Sequence, residues 1–206
     1  MPLSLESRFR YVGGDPALDL INTVDWTSRG LEYEQLENFE QLTRWAEGAG
    51  VIDQVTGRRF RRLGDAKPRA ATAALTYAIE ARTTLRELFH AIARGEPAKS
   101  ELARFNRLHI VAVARLEIAP AEGPGSGYRW RWRDEESDPR ALVWRVLWSA
   151  ANLLRSDEIR NVRVCDGKDC GWMYVDRSRN GLRRWCQMRT CGTREKTRRR
   201  RSDSGI

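Results

Sequence analysis

Apolar residues recur at helical spacing in five stretches of the chain, and most of these stretches carry a recognisable start or stop. In "GGDPALDLINTVDW", Leu18, Ile21 and Val24 or Asp25 follow one another at that spacing. Asp15 can accept backbone N–H bonds as N-cap, and Pro16 suits the first helical position, where no N–H partner is needed. "YEQLENFEQLTRWAEGAGVI" predicts a second amphipathic helix with Leu36, Phe39, Leu42 and Trp45–Ala46 on one face, stopped by Gly48 and Gly50. The longest predicted helix runs from about Arg69 to Arg94, with Ala78, Ala81, Leu85, Leu88, Phe89 and Ile92 inward and Gly95 as stop. A fourth runs from about Ala98 to Leu116, using Leu102, Phe105, Leu108, Ala112 and Leu116. "APAEGPGSG" predicts a loop and "YRWRWR" alternates like a strand. Asp138 and Pro139 then repeat the Asp-Pro cap device ahead of Val143, Val146, Leu147, Ala150, Leu153 and Leu154. The fold class expected is mainly α: a helical domain with a short β element over residues 1–158, and a small module over 159–206.

Charge separates the two parts. The net charge of +9 over 206 residues lies wholly at one end: residues 160–206 hold 14 of the 37 basic residues and five of the 28 acids, leaving 23 of each before them. A neutral body with a basic end is the asymmetry of a polyanion binder. Arginine outnumbers lysine 33 to four, a bias that genome composition can impose, but such a bias does not segregate charge. No apolar run approaches the roughly 18 residues of a membrane span, and "MPLSLESRFRYVGGDP" lacks an apolar signal core. The expectation is a soluble, cytoplasmic protein with no membrane partner, in which thiols stay reduced.

All four cysteines fall in the basic segment, as Cys165-x4-Cys170-x15-Cys186-x4-Cys191. Two close pairs joined by such a loop can supply four sulfurs to one Zn²⁺; disulfides or unrelated buried thiols are the alternatives. Asn180-Gly181, which tolerates positive φ, predicts a tight turn between two strand-like arms, "WMYVD" and "LRRW". Cys186 and Cys191 cannot face one metal from a single regular helix, since five residues rotate the direction by about 140° from coincidence. A break is therefore expected at Gln187–Thr190, with Thr190 as N-cap and Cys191 in the first turn of a helix reaching Arg201. Knuckle, hairpin, then ligand-bearing helix is the treble-clef order. Trp172 and Trp185 fit the core of such a module.

The stretch "CDGKDCGWMYVDRSRNGLRRWCQMRTCGTREKTRRRR" resembles the bacterial CGNR zinc finger across nearly its whole length, and "GGDPALDLINTVDW" resembles the start of the ABATE domain that commonly precedes it. Thr193 stands where the family motif has Asn. The resemblance implies a transcription regulator, sometimes described as stress-induced, with the finger as its DNA-binding part.

The leading expectation is thus a DNA-binding regulator whose zinc module contacts duplex phosphates, and some base edges, through Arg183, Arg184, Arg189, Arg194, Lys196 and Arg198. RNA binding is the second reading, with Tyr128, Trp130 and Trp132 as a stacking face, against the simpler one in which that face packs on the helices. A protein-interaction adaptor is the third, with Trp144 and Trp148 exposed rather than in the core or a homodimer seam. An enzyme is not expected: a four-thiolate zinc has no open position, His90 and His109 sit beside apolar stripes, and no phosphate loop or nucleophile elbow is present. A regulator's need for an input suggests a small-molecule effector, with Asp19, Asn22 and Thr23 as candidate contacts.

Overall fold

Asp15 opens the first helix as its position predicts. Its Oδ1 accepts the Ala17 N–H at 2.8 Å, Pro16 fills the first turn, and Oδ2 accepts the Ser149 hydroxyl at 2.9 Å. The computed structural model describes residues 9–27, 30–123 and 127–203. Helix α1 (Pro16–Ile21) is shorter than its apolar spacing suggested. Asn22 and Thr23 turn the chain out, the Thr23 hydroxyl donating to the Leu20 carbonyl at 2.7 Å. Val24 then enters strand β1 (Val24–Thr27), antiparallel to β2 (Gly30–Glu34), with Val24 opposite Glu34.

The second predicted helix loses its first residues to β2. Helix α2 (Phe39–Gly48) begins where Asn38 accepts the Gln41 N–H at 2.9 Å, and Gln41 reaches back to accept the Glu37 N–H at 2.6 Å. Two side chains thus cap one helix start reciprocally. Helix α3 (Gln54–Ala66), capped by Asp53, has no counterpart in the sequence reading, because four arginines dilute a face on which only Gly57 and Phe60 are fully buried. Helices α4 (Pro68–Ala93) and α5 (Lys99–Val113) fall close to expectation. Leu116, read as the end of α5, instead opens β3 (Leu116–Pro120), the antiparallel partner of β4 (Tyr128–Trp132). The expected loop joins them, and its residues 124–126 lie outside the described residues. Helix α6 (Ala141–Arg155) starts after a turn in which Asp138 accepts the Arg140 N–H at 2.9 Å.

α1 lies at the centre, its apolar side chains fully buried between α4 and α6. Ala71, Ala74, Ala78 and Ala81 let α4 pass close to its neighbours, while Leu85, Leu88 and Phe89 fill the wider end. Burying these apolar faces is the main driving force, at about 25 cal/mol per Å². Arg82, only 2% exposed, makes a paired contact with the Glu34 carboxylate and donates to the Thr23 hydroxyl at 2.9 Å, fastening the β1–β2 hairpin to α4.

β4 turns its aromatic face onto α6. Trp132 lies 6.2 Å from Trp144 and 6.4 Å from Trp148, and Trp130 lies 5.9 Å from Trp148. Trp144 is fully buried, whereas Trp130 remains 57% exposed.

Candidate metal centre and nucleic-acid interface

After α6, a 3₁₀ turn (Asp157–Asn161) leads into β5 (Val162–Val164), which pairs antiparallel with β6 (Met173–Val175). The hairpin of the small module is therefore β5–β6, around the first cysteine pair, and not the predicted pairing of "WMYVD" with "LRRW" around Asn180-Gly181. That turn does form, with Gly181 at φ +61°, but Arg183 to Cys186 pair with no strand. The Asp176 carboxylate accepts both the Ser178 N–H at 2.9 Å and the Arg183 N–H at 3.0 Å, and so closes the turn without a ladder.

β6 alternates between two interiors, as a strand's period of two requires. Met173 and Val175 join the core of the helical body, while Trp172 and Tyr174 pack with the cysteines. The Cys165 N–H donates to the Trp172 carbonyl at 2.9 Å, which closes the loop carrying the first pair. Gln187 is extended, and the chain then enters a wide π-type turn (Met188–Gly192) continuing into helix α7 (Thr193–Asp203). The break between the second pair therefore lies at Gln187, and Thr190 sits inside the first turn rather than capping it. Cys191 is in that first turn, as expected. Thr193 donates its hydroxyl to the Met188 carbonyl at 3.1 Å, across the π-type turn.

The four sulfurs lie within 4.8 Å of one another, and all four residues are free thiols. Cys170 and Cys186 are 3.9 Å apart and Cys186 and Cys191 3.6 Å apart, sulfur to sulfur. A tetrahedron with zinc–sulfur bonds of about 2.3 Å has edges of about 3.8 Å, so the spacing fits one ion and is far too long for disulfides of about 2.05 Å. The Cys186 and Gly167 N–H groups point at the Cys165 sulfur, at 3.2 and 3.4 Å. With no cation between them such thiols cannot all ionise. Hydrogen bonds from Cys170 and Cys186 lower the Cys165 thiol, while contact with Cys165 pushes Cys170 and Cys186 up. A divalent cation removes that conflict by accepting four thiolates at once.

The sequence-predicted contacts divide by environment. Arg189, Arg194, Lys196 and Arg198 are exposed along the π-type turn and α7. Arg184 is exposed and paired with Asp166 at 2.8 Å. Arg183 is different: it donates to the carbonyls of Val12, Trp185 and Cys186 and lies 3.9 Å over the Tyr174 ring. Glu195, which the sequence reading did not single out, is 7% exposed and accepts the Lys168 N–H at 3.0 Å while holding Arg198 at 2.9 Å. It stands four residues after Cys191, on the same helix face, and that spacing was the available signal.

Asp19, Asn22 and Thr23 come together at the junction with the module. Asn22 donates to the Met173 carbonyl and accepts the Met173 N–H, both at 2.8 Å. Asp19 accepts the Gly13 N–H at 2.8 Å, and Thr23 accepts from Arg82. The same seam holds Val175 N–H to the Gly13 carbonyl at 2.8 Å and the Trp172 indole N–H to the Val24 carbonyl at 2.9 Å. A separate open cavity of about 470 Å³ lies between α2, α3 and α4, with Phe39 and Leu75 against Glu37, Glu40 and Asp65. No helix among the described residues is long and apolar enough to cross a membrane.

A mainly helical body carrying a four-cysteine module with a basic helix defines a zinc-finger protein. Residues 14–157 match the family model ABATE, described as "Putative stress-induced transcription regulator", and residues 161–202 match the CGNR zinc finger. The chain belongs to the ABATE family and carries a CGNR zinc finger with one structural zinc site. No curated protein matches it.

Proposed function

We propose that the chain is a DNA-binding transcription regulator in which the zinc module contacts duplex DNA and the helical body receives the signal. The observation that carries this reading is the way α7 disposes its charges. Its only acid between residues 193 and 202, Glu195, is turned inward onto the Lys168 N–H, while Arg194, Lys196 and Arg198 to Arg201 are exposed. A helix with no apolar face to bury and an outward cationic surface suits a polyanion rather than a core.

Arg184, Arg189, Arg194, Lys196 and Arg198 form the proposed contact set. Arg183 is left out, because its guanidinium is engaged with the Trp185 and Cys186 carbonyls of the module and the Val12 carbonyl of the body. The closed four-sulfur site offers no position for a substrate, which supports a scaffold role for the metal over a catalytic one. Asp19, Asn22 and Thr23, the residues expected to contact an effector, spend their polar groups on Gly13, Met173, Leu20 and Arg82, so the open cavity between α2, α3 and α4 is proposed as the effector site instead.

Titration of a labelled duplex across a salt series tests the reading. Five phosphate contacts give a slope of log K against log salt of about −4 to −5. A slope near zero, or no complex at low salt, contradicts it.

A further inference from the structure

Beside the second cysteine pair the module exposes two apolar side chains outside its own core, Leu182 and Met188, next to Trp185, which packs against the cysteine cluster. Leu182 is 75% exposed and Met188 53% exposed, and between them Trp185 is half-buried. The three line one cavity of about 350 Å³, with Arg184 at its edge. Their seat is fixed. Trp185 precedes the ligand Cys186, and Met188 opens the turn that carries Cys191. Gly192 brings the two together, since a Cβ there would lie 2.4 Å from the Met188 sulfur and 3.4 Å from the Trp185 ring. The thioether and the indole edge therefore both lie over a bare glycine, on a stretch flanked by the ligands Cys186 and Cys191.

The rim of this shelf selects its occupant. Arg184 lies 5.4 Å over the Trp185 ring, Arg189 follows Met188 and is exposed, and the cationic face of α7 begins at Arg194, two residues past Gly192. An apolar protein partner would have to take Arg189 and the Arg184–Asp166 pair out of water, which costs several kcal/mol per ion. A nucleic acid offers phosphates to the arginines and flat apolar rings to the shelf. Apolar side chains that insert at a base step unstack it and bend the duplex, in return for a larger wrapped surface.

We infer that Leu182 and Met188, backed by Trp185, press into a base step of the bound duplex, unstacking that step and bending the DNA. The inference rests on the DNA-binding reading and adds a source of selectivity to it. α7 fixes position through phosphates and carries little sequence information. The shelf favours pyrimidine–purine steps such as TA and CA, which deform most easily.

The experiment uses the full zinc-loaded chain and a duplex carrying 2-aminopurine at a central TA step with a fluorescence energy-transfer pair on its ends. Binding is expected to raise the 2-aminopurine signal at least about twofold and to bring the ends closer. The Leu182→Ala/Met188→Ala variant should keep its zinc and its salt slope, lose both signals, and bind about tenfold more weakly, as expected for one lost wedge or stacking contact. Leu182→Ala alone alters only an exposed side chain and keeps the test valid if the double variant folds poorly; it should reduce both signals. A wild-type complex that leaves both signals unchanged overturns the inference while sparing DNA binding, as do variants that retain them. Failure to bind any duplex at low salt overturns both.

Discussion

Arg183 carries its charge inward, and its neighbour Arg184 carries its own outward. The difference comes from what lies within reach: three carbonyls and the Tyr174 ring for the first, Asp166 and solvent for the second. Asp19 is the other residue whose surroundings decide its chemistry. Burial raises its carboxyl to about 6, with Asp15 adding to the rise and the Gly13 and Val12 N–H groups opposing it. That value lies above the unfolded one of about 3.9, so the stability contributed is complete below pH 4 or so and is lost as pH rises through about 6. Asp19→Asn removes this dependence. From pH 5 to 7.5 the wild type should lose stability relative to the variant, by about 1.4 kcal/mol, read as the change in the gap between their melting temperatures. A gap that stays constant contradicts the burial. At this scale the metal ligands were legible, because thiolate chemistry and spacing identify them without a fold. Asn22 was not: its partner Met173 lies 151 residues away, and a lone Asn after an apolar helix equally suits a turn or a ligand contact.

Elements that carry their own start signals could be read directly. Asp15-Pro16 begins α1, and Pro68 begins the helix whose alanine and leucine stripe marks its length. α3 stayed hidden because arginines interrupt its pattern, and β3 because five residues with a single buried side chain give no period. The hairpin was assigned to the wrong pair of segments for a related reason. Asn180-Gly181 is a local signal, whereas β5–β6 pairing is selected by two interiors that form only once α1 and the cysteine cluster exist. β6 is the element on which body and module both depend, and Asn22 is its hinge point. Asn22→Ala leaves the buried N–H and carbonyl of Met173 without their side-chain partner and should cost about 2–4 kcal/mol in urea unfolding. A loss below about 1 kcal/mol would mean that the module is held by its metal and packing alone.

On the scale of the molecule the zinc module is not a tethered finger. The stretch from Val12 to Val24 is bonded along Trp172 to Val175 and to Arg183, and the body's core extends through Val162, Met173 and Val175. Segregated charge, visible in the sequence, located the interaction end; this docking was invisible there because it uses backbone groups, which every sequence supplies alike. Under the proposed function, this docking is the route by which a signal in the helical body would reach the metal site. In the proposed function zinc shapes residues 162–203, and DNA binding depends on that shape. The most direct test is to measure metal content and duplex affinity on one preparation before chelation, after it, and after zinc is returned. The expected result is one zinc per chain, loss of affinity on removal and recovery with one equivalent. A chain that remains folded through 162–203 without metal, and binds DNA as before, contradicts it.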